Sequence, residues 1–594
     1  MTFSAEQTMV LALLGGLLAM LVWGRWRYDL VAFGALIIAV IIGVVPGNEA
    51  FSGFGHPATV IIALVLVVSY GLAASGAVSL IARHVTAAGR SISAHIAIMS
   101  SVGAALSGIM NNVGALALLM PVDIEAARKE KRSPALTLMP LSFATILGGL
   151  VTLIGTPPNI IISTFREREL NAPFQMFDFA PVGLVCALAG VIFIALIGWR
   201  LIPQPDVGQG EDAEVFKLDD YLAELTIAEE SKLVGETLVD VEKAAEAAEV
   251  QLLGVMRDHS RLPDHAGWVR IQEGDVLLLE TKAEKLDNFA TEHNLAYVPA
   301  NMQREQIEES EFELVEVVVR PGSPMEGRTS ASMSLVDRYG TWLIGVQRQG
   351  RRLQRRVRRI PIQAGDVLLL IGPKKNTRAF TEDMSMLPLA KRGLEVGDNS
   401  KALLAAGMFG GAIALSSVGL LYLPVALGLV TVLYVLTGIV PLKQLYETIE
   451  WPVVVLIGSL IPIGLALETS GATEVLARGL VSLVRDLPPW AILTIIMALT
   501  MTLSDVLNNT ATALVAAPIA LQVSKQLGVN PDAFLMAVAV AASCAFLTPI
   551  GHKNNTLIMG PGGYKFGDYW RLGLPLEILV VAVGAPMIML VWPL

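Results

Sequence analysis

Cysteine is nearly absent from this chain: Cys186 and Cys544 are the two present, both inside apolar runs and far apart in sequence. That leaves no basis for a disulfide framework or a cysteine metal site. Charge is scarce as well, at 16% of residues against 54% hydrophobic, with a mean hydropathy of +0.60. A chain of 594 residues this apolar is not a soluble protein, and its formal charge of -10 argues against a nucleic-acid partner. No Thr-Val-Gly-Tyr-Gly filter occurs, which speaks against a potassium channel. Neither a metal-ligand cluster nor a nucleophile, base and orienter set is visible, so no enzyme is expected. The first apolar run has no basic segment before it and no small-residue cleavage site after it, and is read as a retained span.

What is present is a series of apolar runs of bilayer-spanning length, about 17 to 25 residues each. They fall near 8–24, 29–46, 57–74, 92–122, 135–163 and 180–202, then, beyond a polar stretch, near 402–420, 422–440, 452–468, 490–521, 533–559 and 575–593. Landmarks repeat in order across that stretch. Pro46, Pro57 and Ser75-Gly76-Ala77 return as Pro441, Pro452 and Ser470-Gly471-Ala472. Ser107, Asn111-Asn112, Pro121 and Pro134 return as Ser504, Asn508-Asn509, Pro518 and Pro531, and Gly155 and Asn159 as Gly551 and Asn555. A duplication explains so many ordered matches.

The stretch SGIMNNVGALALLMP, from Ser107, and its copy SDVLNNTATALVAAP, from Ser504, set paired asparagines inside apolar runs. A buried amide needs a partner, and a helix interrupted there offers donors on one half and acceptors on the other, enough to hold an anion beside a cation. If each such run is a re-entrant hairpin, each half crosses the membrane an odd number of times and the second copy is inverted. The alternative is that 92–122 is one ordinary long span. After each hairpin follows another interrupted span, TLIGTPPNIII from Thr152 and TPIGHKNNTLI from Thr548, so four broken elements are expected to meet at one site. Basic residues in the loops (Arg25, Arg27, Arg83, Arg90, Arg128, Lys129, Lys131, Arg132 and Arg200, against Arg166 and Arg168) put the polar insert in the cytoplasm and both termini outside. Segments 76–91, with Arg83, His84 and Arg90, and 471–487, with Glu474, Arg478, Arg485 and Asp486, suit either interfacial helices or loops.

The expected architecture is therefore an α-helical polytopic protein of the plasma (cell inner) membrane. Two inverted-topology repeats, 1–204 and 399–594, would flank two small α/β cytosolic domains, 205–300 and 301–398. IQEGDVLLL, from Ile271, returns as IQAGDVLLL, from Ile362; a Gly-Asp turn before a continuous aliphatic run reads as a strand buried on both faces. The insert resembles the C-terminal (RCK-C) domains of potassium-conductance and potassium-uptake regulators. That resemblance implies pairing into a homodimer and a regulatory ligand, a nucleotide among the candidates. The cluster Arg351, Arg352, Arg355, Arg356, Arg358 and Arg359 is read as a solvated hairpin or lipid-headgroup contact before an anion site.

The paired asparagine tips and the Gly-Thr-Pro-Pro-Asn break resemble the divalent-anion/sodium symporter family, carriers of dicarboxylates, citrate and sulfate. Carried over residue by residue, one sodium site would use Ser107, Asn111, Asn112 and Gly155, and the other Ser504, Asn508, Asn509 and Gly551. Substrate would touch Asn112, Val113, Thr156 and Pro157 from one half and Asn509, Thr510 and His552 from the other. Family tips read Ser-Asn-Thr; here they read Asn111-Asn112-Val113 and Asn508-Asn509-Thr510. The second break has His552-Lys553 where threonine and proline are expected. An ionisable residue there is a functional candidate, with His552 favouring a small oxyanion such as sulfate or carrying a proton, and Lys553 snorkelling to the membrane edge. The resemblance implies a sodium-coupled importer of a small divalent anion, sulfate ahead of dicarboxylate, moving by an elevator-type shift of the hairpin unit. Asp505 motivates the alternative, a proton-coupled carrier or cation/proton antiporter.

Overall fold

The computed structural model describes residues 4–594 except 24, 77–90, 131, 204–221, 229, 249, 258–259, 262–268, 281–288, 298–311, 331, 334, 350, 354–359, 390–398 and 484–486. Arg83, His84, Arg90, Lys131, Arg485, Asp486, Arg355, Arg356, Arg358 and Arg359 lie outside the described residues, as do the side chains of Arg128, Arg351 and Arg352. The chain divides into two compact units, one of residues 1–206 with 391–594 and one of residues 207–390.

The first stretch of the larger unit runs α1 (Ala5–Trp23), α2 (Tyr28–Ile41), α3 (Pro57–Ala74), α4 (Ile92–Ile109), α5 (Asn112–Lys129), α6 (Ala135–Gly148), α7 (Pro157–Leu170) and α8 (Ala180–Leu196). The smaller unit holds β1 (Leu222–Ile227), α9 (Leu238–Ala247), β2 (Gln251–Arg257), β3 (Ser260–Arg261), β4 (Val276–Glu280) and β5 (Leu295–Tyr297). Then come β6 (Phe312–Val319), α10 (Leu335–Tyr339), β7 (Trp342–Arg348), β8 (Arg351–Arg352), β9 (Val367–Pro373), α11 (Lys374–Asp383) and β10 (Met386–Pro388). The larger unit resumes with α12 (Asn399–Ser417), α13 (Leu423–Leu436), α14 (Leu442–Glu447), α15 (Trp451–Thr469), α16 (Ala472–Leu483), α17 (Pro489–Val506), α18 (Asn509–Leu527), α19 (Pro531–Ser543), α20 (Lys553–Met559) and α21 (Tyr569–Val591).

Six helices among the described residues are long and apolar enough to cross a membrane: α1, α3, α4, α15, α17 and α21 with the short turn before it. The protein is a multi-pass α-helical membrane protein. Proline sets several starts, standing in the first turn of α3, α7, α15, α17 and α19, where its missing N–H leaves no helix bond unmade. The 92–122 run is not one long span. Met110 is extended (φ -131°, ψ 170°), so the helix stops at Ile109 and α5 starts afresh at Asn112. Leu507 does the same between α17 and α18. Pro121 and Pro518 sit inside α5 and α18 at matching places, each removing one main-chain bond.

Packing repeats with the sequence. Helix α4 lies on α5, α6 and α8, as α17 lies on α18, α19 and α21. Between the halves the exchange is reciprocal: α7 packs on α18 and α19, while α20 packs on α5 and α6, and α2 packs on α15 as α3 packs on α13. Each half's second break is thus seated against helices of the other half.

The smaller unit carries two five-stranded antiparallel sheets, ordered β3-β2-β4-β1-β5 and β8-β7-β9-β6-β10, so the second repeats the first strand for strand. In each Gly-Asp turn the glycine takes a left-handed φ (Gly274 +84°, Gly365 +83°). The aspartate folds back to accept the N–H of Gln272 or Gln363 at 2.8 Å. Arg257 clamps Asp275, and Arg348 clamps Asp366, through two 2.7 Å bonds each. The aliphatic run that follows is buried on both faces in β9, from Val367 to Gly372.

Candidate functional site

Both tips are built from the same bonds. The side chain of Asn111 accepts the Val113 N–H at 2.8 Å, and Asn508 accepts those of Thr510 and Ala511 at 2.8 and 3.2 Å. The first asparagine of each pair therefore caps its own helix, a use the bare sequence left open. The second is held by a serine: Ser107 Oγ donates to Asn112 Oδ1 at 2.6 Å, and Ser504 Oγ lies 3.0 Å from Asn509 Oδ1 while reaching the Ala542 carbonyl at 2.6 Å.

The breaks are tied to the tips by the same rule. Thr152 Oγ1 donates to the Gly108 carbonyl and Thr548 Oγ1 to that of Asp505, both at 2.6 Å. Asn159 Nδ2 holds the carbonyls of Thr152 (2.9 Å) and Gly149 (3.4 Å), and Asn555 Nδ2 holds those of Thr548 and Ala545 (3.1 Å each). Glycine leaves room where the elements approach closely. A Cβ on Gly155 would stand 2.4 Å from the Gly149 carbonyl oxygen, one on Gly149 2.4 Å from Asn112 Oδ1, and one on Gly551 3.0 Å from the Ser504 carbonyl oxygen. Ser107, Asn111, Asn112 and Gly155 thus gather at one tip and Ser504, Asn508, Asn509 and Gly551 at the other, each set rich in the neutral oxygens a sodium ion accepts.

The halves meet across the tips. Thr156, buried at the head of α7 beside Pro157, has its hydroxyl 3.5 Å from Ser543 Oγ. His552 Nε2 lies 3.3 Å from Asn112 Nδ2, and Asn554 Nδ2 donates to the Asn112 carbonyl at 3.1 Å and to Thr145 Oγ1 at 2.8 Å. His552 Nδ1 accepts the Asn554 N–H at 3.1 Å. A neutral imidazole has one acceptor nitrogen. With Nδ1 occupied, Nε2 carries the hydrogen and faces the amide donors of Asn112. The imidazole and the side-chain amide thus meet across the repeats, and their N–H groups are the donors at this point that can turn to an anionic oxygen. Val113 and Thr510 are buried one residue past each tip, with Val113 offering no hydroxyl where Thr510 does.

Several contributors were not assigned from sequence: Thr152, Thr548, Asn159, Asn555, Thr145 and Asn554. Threonine and asparagine recur at equal spacing in both break motifs, which is the signal that could have marked the first four. Asn554 stands where the first half has Pro158, so symmetry hides it. Glu577 on α21 is a further surprise, its carboxyl meeting that of buried Asp505. Phe546 N–H donates to Glu577 Oε1 at 3.3 Å and Leu547 N–H to Asp505 Oδ1 at 2.8 Å, which leaves Asp505 Oδ2 no main-chain donor among the described residues. Lys553 pairs with Glu450, which immediately precedes α15.

The chain matches the citrate-transporter family (CitMHS) over residues 18–524 and 488–594. It is 30% identical over 573 residues to an uncharacterized transporter of Synechocystis sp., spanning 95% of this chain and 94% of that protein. The uncharacterized transporter YfbS of Escherichia coli is 29% identical over 611 residues, spanning 99% of this chain and all 100% of its own. Sodium/sulfate cotransporter 2 of Chlamydomonas reinhardtii is 28% identical over 367 residues, which are 57% of this chain and 39% of that protein.

Proposed function

Because this chain belongs to the citrate-transporter (CitMHS) family of divalent-anion/sodium symporters, and is thus a membrane transporter rather than an enzyme, we propose that it imports a small divalent anion, sulfate ahead of dicarboxylates, coupled to sodium. The observation that carries the anion is the convergence of Asn112 Nδ2 and His552 Nε2 from opposite repeats. Neutral N–H donors suit a compact oxyanion that must also be released, and Asn509, Thr510, Val113, Thr156 and Pro157 complete the proposed seat. The oxygens of Ser107 with Asn112, and of Ser504 with Asn509, are the sodium ligands. Similarity to sodium/sulfate cotransporters favours this ion and this anion.

Sodium bound on the acceptor side of each asparagine turns its amide donors toward the substrate and offsets the anion's charge, which couples the two fluxes. The repeats are inverted, the α4–α5 and α17–α18 pairs re-entrant, and the tips travel together as an elevator. The smaller unit is cytoplasmic and regulator-like, its two repeated sheets supporting a ligand-binding and homodimer-forming role, with both termini outside. Radiolabelled uptake of sulfate, succinate, citrate and phosphate, with and without a sodium gradient, tests this. Sodium-dependent sulfate uptake is expected; uptake of none of the four, or uptake indifferent to sodium, refutes it.

One observation favours a second reading. The adjoining carboxyls of Asp505 and Glu577, without a cation against them among the described residues, are suited to carrying a proton. Uptake that follows a proton gradient and ignores sodium would select that reading.

A further inference from the structure

An ion pair beside the anion seat breaks the symmetry of the repeats. Lys553, the residue after His552, opens α20, and its ammonium meets the carboxylate of Glu450, which precedes α15. In the register of the repeat, Lys553 stands where the first half has Pro157, and Glu450 where it has Gly55. The first repeat builds the same break and the same helix start with neither charge, so the pair is an addition made on both sides at once. The lysine and glutamate side chains stay 29% and 26% exposed, so the pair is not locked into the core. Tyr28, at the start of α2, lies beside both charges.

A lysine on a flexible stem exchanges one carboxylate for another with little rearrangement. We propose that Lys553 reads the charge of the transported anion, with Glu450 as its tethered competitor. Glu450 holds the ammonium while the seat is empty. A dianion, its first charge on the donors of Asn112 and His552, draws Lys553 away with its second. A monoanion cannot, and is bound less tightly. This rests on the anion seat described above, and it places charge selectivity on a residue outside the paired tips.

The test is anion binding to the purified full-length protein in detergent with saturating sodium, measured calorimetrically. The probes are sulfate against methanesulfonate and succinate against butyrate. Lys553→Gln should weaken the dianions by about tenfold and leave the monoanions nearly unchanged. Glu450→Gln should tighten the dianions by roughly threefold, since the competitor is gone. Lys553→Arg should keep the wild-type preference. A purely structural pair behaves otherwise: both single variants weaken binding, and the double variant E450Q/K553Q restores it. Equal-signed effects of the two single variants, or an unchanged dianion-to-monoanion ratio in Lys553→Gln, overturn the proposal. Should either single variant unfold, the double variant decides, because it must show the lowered ratio. Wild-type protein that binds none of the four anions overturns the seat itself, and this assignment with it.

Discussion

Asn112 is the residue on which the two repeats close: its oxygen is held by Ser107, its amide faces His552, and its carbonyl receives Asn554. Asn509 keeps the serine contact of its copy. Asn112→Ala and Asn509→Ala should each abolish uptake in protein that still inserts and runs as a single species on gel filtration. Near-normal uptake in both would remove the site. Gly149→Ala is a subtler probe, because the added methyl would stand 2.4 Å from Asn112 Oδ1, and only movement of that side chain relieves the clash. It should raise the half-saturating sodium concentration by about tenfold or more, read from sodium-titrated uptake. At His552 the hydrogen-bond pattern matters more than size. His552→Gln keeps one acceptor and one donor and should retain measurable uptake, whereas His552→Leu should lose it.

At the scale of elements, the breaks are carried by side chains standing in for missing helix bonds. Asn159 and Asn555 each take two carbonyls of the breaks that follow α6 and α19, and Thr152 and Thr548 take one more from α4 and α17. Replacing either asparagine with leucine leaves two buried carbonyls without a donor. Asn159→Leu and Asn555→Leu should each destabilise the protein by about 2–4 kcal/mol, seen as a lower thermal midpoint in detergent. An unchanged midpoint would mean that the breaks are held by packing alone. The reciprocal seating of α7 on α18 and α19, and of α20 on α5 and α6, gives these bonds their role. A break loosened in one half should also loosen the helices of the other half that hold it.

At the scale of the molecule, the two sheets of the smaller unit have cores of their own, Leu225, Leu277 and Phe289 in one and Val317, Leu368 and Phe380 in the other. Deleting 207–390 across a short linker should change regulation or dimer stability and leave the substrate profile as it was, which the same uptake screen reads. A shifted profile would contradict that division of labour. Within the unit, Asp366→Asn strips the charge partner from Arg348 at a buried turn and should cost about 3 kcal/mol, measured as faster proteolysis within this unit.

Membrane insertion, the duplication and the family were open to the sequence alone, because apolar run length, ordered landmarks and the Asn-Asn and Gly-Thr-Pro-Pro-Asn motifs are local properties of the chain. The end of α4 was left open between a tip at the asparagines and one long span, and the extended backbone at Met110 decided it. What each asparagine does was decided only in three dimensions. Asn111 and Asn508 turn back onto their own helices while Asn112 faces His552, a residue 440 positions away. Neither the donor pair at the tip nor the tie between Lys553 and Glu450 can be read from spacing. Both arise where two repeats exchange elements, and hydrogen bonds and charges respond to distance in space, not to distance along the chain.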